Sequence, residues 1–353
     1  MKNIKRLNHF LHNNLLKLML CAYATAAVFP SLGISIKNVE LGRLSWFSEK
    51  ELILSLPLWM LSFLLFNAGF SVRMSHLKKV VLVPGPLLVG LVSKTLVPLI
   101  FTIVFALFGR YFWHNSGEIQ IILVGIAVVA AMPIAGSSTA WVQTSGGNIA
   151  LILGLVVFST VLSPLISPIV FHLIGNFTTG EYSESLRGMG REGASGFLII
   201  SVVLPSILGM ICRALIGDEK HMRIAPILGA LNIIDLLLLN YSNASVSLPQ
   251  VVQNWDLEFI ILIGVTMGFL CILGFYAGWI LPRFLRISQS ERIALTYGLG
   301  MNNNGTGLVL VSSVLGSLPL VMVPIIFYNL GQQIVAGFFI RRIDRMRNLA
   351  RSV

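Results

Sequence analysis

The feature that most constrains this chain is a series of apolar runs, each long enough to cross a lipid bilayer and separated by short polar segments. A bilayer-spanning helix needs about 20 predominantly apolar residues. Ten such runs are predicted, with boundaries good to about 2–4 residues. They lie near Leu15–Leu32, Leu52–Val72, Val81–Phe108, Ile121–Val142, Ile149–Ile174, Phe197–Ala214, Ile224–Ser245, Phe259–Leu281, Arg292–Val314 and Leu318–Ile340.

The amino-acid composition also indicates a membrane protein. Charged residues make up 11% of the 353 positions and hydrophobic residues 56%, whereas a soluble domain is about 25% charged. The net charge of +11 does not indicate nucleic-acid binding, because the basic residues lie in short loops between apolar runs. The longest connecting segments, about residues 33–51 and 175–196, are too short for a soluble domain. We therefore predict an all-α polytopic protein whose partner is the lipid bilayer.

The basic residues between the spans predict the orientation of the chain. Cytoplasmic loops of membrane proteins carry an excess of Lys and Arg. Of the 25 Lys and Arg residues, Lys94 lies inside a span and six lie on the side opposite the termini: Lys37, Arg43, Lys50, Arg110, Arg187 and Arg191. The excess on the other side predicts a multi-pass protein of the cell membrane with both termini in the cytoplasm.

The two halves of the chain share a pattern. Span two contains Asn67-Ala68-Gly69 and span seven contains Asn243-Ala244-Ser245, while residues 135–140 in span four correspond to residues 302–307 in span nine. Because five spans is an odd number, the second half is inverted relative to the first. Two inverted five-helix repeats, with broken crossing helices in spans four and nine, are the architecture of secondary transporters.

The broken segments supply the candidate binding site. Asn302, Asn303 and Asn304 place three amides in an apolar run, where lipid offers no hydrogen-bond partner, so they must face protein or a water-filled cavity. Ser138 and Thr139 occupy the matching break. Half-helix ends exposed there would bind ions and anionic groups. The alternative is a buried amide network that only ties helices together.

Two ionisable residues lie within spans, Lys94 and Asp235. A charge near mid-bilayer costs about 2.5–3.5 kcal/mol on insertion scales, so both are candidate functional residues. Asp235 could instead be a structural hydrogen-bond partner near Asn232. Lys94 could instead reach an interface or pair with Asp235 as a structural strut.

Enzymatic function is not expected. An intramembrane protease would need a Ser–His pair or two Asp residues at membrane depth, and only Asp235 is clearly embedded. No Cys/His cluster indicates metal chemistry, and no cofactor is predicted.

Several motifs resemble those of the bile acid:sodium symporter family. The strongest are residues 133–139 (PIAGSST), 147–151 (GNIAL) and 159–168 (STVLSPLISP), which are similar to the family's fourth and fifth helices. Residues 300–305 (GMNNNG) are similar to its ninth-helix motif. The resemblance implies organic-anion substrates, sodium coupling and a core domain that moves against a panel domain. Its panel is residues 1–80 and 196–250, its core is residues 81–175 and 257–340, and residues 341–353 are a basic cytoplasmic tail.

The sequence departs from this family at the implied sodium ligands. The family's Ser-Asn pair falls on Ser138 and Thr139, and its ninth-helix Gln on Asn302. Its two fifth-helix hydroxyl ligands fall on Ile152 and Val156, and its ninth-helix Glu on Gly298. A sodium site needs hard oxygen ligands and usually a carboxylate. In addition, the family's third-helix Gln falls near Ser93 or Lys94.

We therefore predict a secondary transporter that moves a small organic anion by alternating access without the family's usual sodium sites. Lys94 could pair with the substrate, or its loss and gain of a proton could couple transport to pH. The alternatives are a sodium-coupled symporter with a reorganised ion site and, from another class, a membrane-embedded receptor or enzyme.

Overall fold

The computed structural model of the chain describes residues 2–44, 52–82 and 84–351. Lys50, Val83 and the last two residues of the predicted tail lie outside the described residues. The described helices are α1 (Lys2–Asn13), α2 (Leu15–Val28), α3 (Ser31–Lys37), α4 (Leu56–Phe70), α5 (Met74–Leu82), α6 (Pro84–Phe112), α7 (Ser116–Ala131), α8 (Ser138–Thr144), α9 (Ile149–Gly175), α10 (Gly180–Gly188), α11 (Ala194–Leu198), α12 (Leu204–Gln253), α13 (Leu257–Phe284), α14 (Gln289–Gly300), α15 (Asn304–Val314) and α16 (Met322–Arg351).

Both of the longest predicted linkers contain regular structure. In the first, β1 (Glu40–Leu44) pairs antiparallel with β2 (Leu52–Ser55). In the second, α10, α11 and two π-helical segments run continuously into α12. Leu186, Met189 and Ala194 are buried there, and this stretch packs against α9. Burial of these apolar residues explains why a segment of low hydropathy is helical rather than a loop.

Five helical segments of the described chain are long and apolar enough to cross a membrane: Pro84–Gly109, Ile149–Gly175, Ala194–Gln253, Leu257–Phe284 and Pro319–Met346. Two bent pairs raise the number to seven if each counts as one span, α2 with α3 (97°) and α4 with α5 (71°). Many large apolar side chains on these helices are exposed, as lipid contact requires. The all-helical polytopic class is confirmed, while ten spans and an inverted repeat remain predictions.

The longest helix, α12, is interrupted at Gly217, where φ is 77°. Glycine adopts this conformation readily because it lacks a Cβ. A straight helix of this length would extend about 75 Å, more than twice the hydrocarbon core of about 30 Å. The predicted spans six and seven lie on either side of this break.

Two glycines allow α4 to cross the first part of α12 in close contact. A Cβ added at Gly69 would overlap the carbonyl oxygen of Ser206, and one added at Gly209 would overlap that of Phe66. Small residues permit such close approach of helices in membranes, where packing replaces the hydrophobic effect as the driving force.

Replacing Gly209 with Ala is therefore expected to destabilise the protein by about 1–3 kcal/mol, the usual cost of overpacking. The measurement is thermal unfolding of the purified protein in detergent. Gly268→Ala on α13 is the matched control, because no atom lies within 4 Å of its added Cβ. Equal melting temperatures for the two variants would contradict this account of the α4–α12 contact.

Candidate functional site

Two broken helices meet inside the bundle. The first break lies between α7 and α8, and the second lies between α14 and α15. Ile134 and Asn302 form an antiparallel bridge between the breaks. The N–H of Ala135 donates to Met301 O at 3.0 Å, and that of Asn303 donates to Pro133 O at 2.9 Å. The two unwound segments thus satisfy each other's backbone groups, as membrane depth requires.

Side chains from other helices satisfy the carbonyl ends of the half-helices. The Lys94 ammonium is buried and donates to Ala130 O at 3.2 Å, and Ser167 Oγ donates to Ala131 O at 2.7 Å. At the end of α14, Tyr328 Oη donates to Gly300 O at 3.1 Å. A helix C-terminus carries partial negative charge, so the ammonium complements the end of α7.

A cavity of about 290 Å³ lies beside the crossing. Among the described residues that line it, His221 alone has a titratable side chain, and no Asp, Glu, Lys or Arg contributes. Amides dominate the polar part of the wall: Asn67, Asn232, Asn302, Asn303, Asn304, Asn329, Gln332 and Gln333. The cavity is therefore rich in donors and acceptors without carrying a fixed side-chain charge.

The predicted site residues divide into two groups. Thr139, Asn302, Asn303 and Asn304 line the cavity. The other three, Ser138, Lys94 and Asp235, are not among its described lining residues. Ser138 is fully buried and donates to Ala135 O at 2.6 Å.

Neither charged residue fits the structural alternative suggested for it. Lys94 is 5% exposed, and its described polar partner is Ala130 O rather than Asp235. Asp235 lies on α12 with Oδ2 buried and without a partner among the described residues. Asn232 is instead bonded to Asn67, whose Nδ2 donates to Asn232 Oδ1 at 3.3 Å.

The amides at the second break have unused hydrogen-bonding capacity. Asn303 Oδ1 accepts from Thr306 N at 3.3 Å and caps α15. Asn304 is 1% exposed, and neither side-chain polar atom has a partner among the described residues. Asn302 Oδ1 also has no hydrogen-bond partner among the described residues. Buried polar atoms without partners are costly, so the side chains of the second break are less well satisfied than the backbone of the crossing.

A hydrogen-bonded network that begins at the cavity wall was not predicted. Tyr23 Oη donates to Asn240 Oδ1 at 3.0 Å, and Asn329 Nδ2 donates to both residues. Gln332 Nε2 then donates to Asn329 Oδ1 at 3.1 Å, and Gln332 Oε1 accepts from Asn302 N at 2.9 Å. The network, formed by Tyr23, Asn240, Asn329 and Gln332, joins α2, α12 and α16 to the crossing. Amides within apolar runs were the signal that could have identified it.

The crossing of two broken helices beside a polar cavity, in a polytopic α-helical protein, is the site architecture of secondary transporters. The model of the Sodium Bile acid symporter family matches residues 58–255. The chain belongs to this family, which confirms the resemblance found in its motifs.

Three related proteins match this chain over most of its length. The uncharacterized protein YbaS of Bacillus subtilis (strain 168) is 27% identical over 81% of this chain and 88% of its own. The uncharacterized sodium-dependent transporter YocS of the same organism is 22% identical over 90% of each chain. The probable chloroplastic sodium/metabolite cotransporter BASS1 of Oryza sativa subsp. japonica is 23% identical over 75% of this chain and 60% of its own.

Three of the positions that the resemblance assigns to sodium ligands, Gly298, Ile152 and Val156, have apolar surroundings or side chains. An added Cβ at Gly298 would lie 3.2 Å from Leu155 Cδ1 and 3.4 Å from Ile152 Cδ1. Ile152 and Val156 are themselves buried. The described residues contain no group of three His, Cys, Asp or Glu that could hold a metal ion. Gly298, Ile152 and Val156 therefore supply no side-chain oxygen at these three positions.

Proposed function

We propose that this protein is a secondary transporter that moves a small organic anion by alternating access and does not depend on sodium. The cavity beside the crossing is the observation that carries this proposal. The N-terminus of α15 opens on it through Asn303, Asn304 and Gly305. The dipole of a helix favours an anion at its N-terminus, and no carboxylate of the described wall would repel one.

The volume of the cavity limits the size of the substrate that it can hold. Pockets for drug-sized ligands have volumes of about 300–1,000 Å³, and this cavity has about 290 Å³. A carboxylate or sulfonate at one end of a compact molecule could take its hydrogen bonds from Asn303 and other amides of the cavity wall. The apolar wall, which includes Leu65, Met210 and Leu228, would contact the rest of the molecule.

Lys94 supports transport without sodium. Its ammonium lies at the carbonyl end of α7, where a cation is favoured by the helix dipole. When Lys94 is protonated, its positive charge would repel a second cation in a poorly screened interior. The charge of Lys94 and the apolar surroundings of Gly298 therefore both disfavour sodium binding. Lys94 is not on the described cavity wall. We therefore propose that its charge attracts the substrate anion electrostatically, without direct contact.

The alternative within transport is sodium coupling through a reorganised site. Two of the compared relatives carry names that describe them as sodium-dependent or as sodium cotransporters. Their identity to this chain is low enough for the coupling ion to differ.

The packing of the helices supports the proposed division into panel and core. In the panel, α2 and α4 pack extensively against α12. In the core, α6, α7 and α9 pack on one another, and α13 packs on α14 and α16. Counting the broken pairs α7/α8 and α14/α15 as one span each, and α12 with its preceding helices as two, gives the ten proposed spans. Movement of the panel against the core would open the cavity to each side in turn.

Uptake by proteoliposomes tests this function. Vesicles containing the purified protein are loaded with unlabelled candidate carboxylates or sulfonates, and entry of the labelled compound is measured with sodium or with choline outside. Equal exchange in both media is expected. Strict dependence on sodium would favour the symporter alternative. No exchange of any anion by folded protein would favour a receptor or an enzyme.

Both termini are proposed to be cytoplasmic, which can be tested by labelling. On a background without native cysteines, Glu184→Cys on α10 should react with an impermeant thiol reagent added to intact cells. Ser290→Cys at the start of α14 should react only after the cells are opened. Both positions are exposed, so access depends on the side of the membrane. The reverse pattern would overturn the orientation predicted from the basic residues.

A further inference from the structure

Three arginines surround one tryptophan where the ends of α13, α14 and α16 meet. The guanidinium carbon of Arg292 lies 4.0 Å from the ring centroid of Trp279, that of Arg283 lies 5.6 Å away, and that of Arg342 lies 6.0 Å away. Arg342 Nη1 also donates to Tyr276 Oη at 3.1 Å. We call Arg283, Arg292, Arg342 and Trp279 the arginine cluster.

Within the described part of the chain, no carboxylate lies within 4.0 Å of these guanidinium groups. Glu291 is engaged by Ser288, whose Oγ donates to Glu291 Oε2 at 2.6 Å, and Asp344 on α16 is exposed. In addition, Arg292 Nε and Trp279 Nε1 are buried without partners among the described residues. Like charges gathered around one ring repel one another, so a bound anion would stabilise the cluster.

We propose that the arginine cluster binds the phosphate group of an anionic ligand. The planar guanidinium fork matches phosphate oxygens with two parallel N–H donors. Stacking on Trp279 holds the Arg292 guanidinium in place, which lowers the entropy lost on binding. The cluster lies apart from the described cavity wall, so this site is separate from the one that carries the proposed transport.

The surroundings favour a phospholipid headgroup as the source of the phosphate. Phe284 and Leu285 are 80% and 54% exposed beside Arg283, and Phe338 is 54% exposed one turn before Arg342. These apolar side chains would contact acyl chains while the guanidinium groups contact the headgroup. A soluble phosphate would use the same donors without the apolar contacts.

Lipid binding to the full-length, delipidated protein tests the proposal. Phosphatidylglycerol is compared by native mass spectrometry with phosphatidylcholine, whose choline cancels the phosphate charge, and with diacylglycerol, which has no phosphate. Inorganic phosphate is tested as a competitor. We expect preferential retention of phosphatidylglycerol, weakened about tenfold or more by Arg292→Gln and by Arg342→Gln, because each removes a charge-assisted hydrogen-bond donor. Arg345→Gln, which removes an exposed charge from the same helix as Arg342, should change binding less than about twofold.

Each result of the lipid-binding experiment either supports or overturns the proposed site. Retention of phosphatidylglycerol without competition by phosphate supports a lipid site, and competition supports a site that also accepts soluble phosphate. Equal binding of phosphatidylglycerol and diacylglycerol, together with no effect of inorganic phosphate, would overturn the proposal. Equal weakening by Arg345→Gln and Arg342→Gln would do so too, since only general surface charge would then be involved. Arg342→Gln serves as the readout if Arg292→Gln does not fold.

Discussion

Replacing Lys94 with Gln is expected to reduce organic-anion uptake at least tenfold in both sodium and choline media. Gln keeps an N–H donor for Ala130 O but removes the charge at the carbonyl end of α7. A partly buried cation at a helix C-terminus contributes up to about 2 kcal/mol, and about 1.4 kcal/mol corresponds to tenfold. Uptake by reconstituted protein across a pH series is the measurement.

The control for this variant is Lys79→Gln, which removes an exposed charge from α5 and should leave uptake unchanged. Wild-type uptake that varies with pH, beside a flat profile in Lys94→Gln, would assign proton coupling to Lys94. Unchanged transport by Lys94→Gln would reject the idea that this residue replaces a bound cation. Strict sodium dependence in the wild type would reject it as well.

Replacing Asn303 with Leu is expected to reduce uptake about a hundredfold while leaving a folded protein. Asn303 lines the cavity and caps α15, so Leu would remove a polar group and fill space beside Asn304. Loss of two hydrogen bonds to a charged ligand, at about 1.5 kcal/mol each, accounts for this factor. Uptake and melting temperature are measured together.

A second variant separates capping from binding. Ser is also a good N-cap residue, so Asn303→Ser should keep the stability of α15 while retaining only part of the uptake. Asn303→Leu should also lower the melting temperature, since a lost cap costs about 1 kcal/mol. Full uptake by Asn303→Leu at normal expression would remove this residue from the proposed site.

The helix breaks could be predicted because their cause is local. Three consecutive Asn residues and a Gly cannot continue a lipid-facing helix, and the structure ends α14 at Gly300 and begins α15 at Asn304. The partner of Lys94 was not predictable, because Ala130 is 36 residues away and becomes its neighbour only when α6 packs on α7.

The β1–β2 pair and the helical segment after α9 were missed for a related reason. Both depend on contacts that a hydropathy window does not detect, namely the pairing of Arg43 with Ile53 and the burial of Leu186. The cavity wall depends on tertiary structure as well. Asn67 on α4 and Asn232 on α12 are isolated amides in sequence and neighbours only in space.

The network of Tyr23, Asn240, Asn329 and Gln332 has a consequence for the reversibility of transport. Its hydrogen bonds join α2 and α12 to α16, so a movement of α16 relative to α2 and α12 would break some of these hydrogen bonds. Lipid supplies no replacement donors, but Asn240 Nδ2 and Asn243 Oδ1 are unpartnered nearby on α12. A shift of α16 could therefore exchange one set of amide bonds for another of similar strength. Two end states with nearly equal numbers of bonds would lie close in free energy, so this network would not hold the protein in either of them.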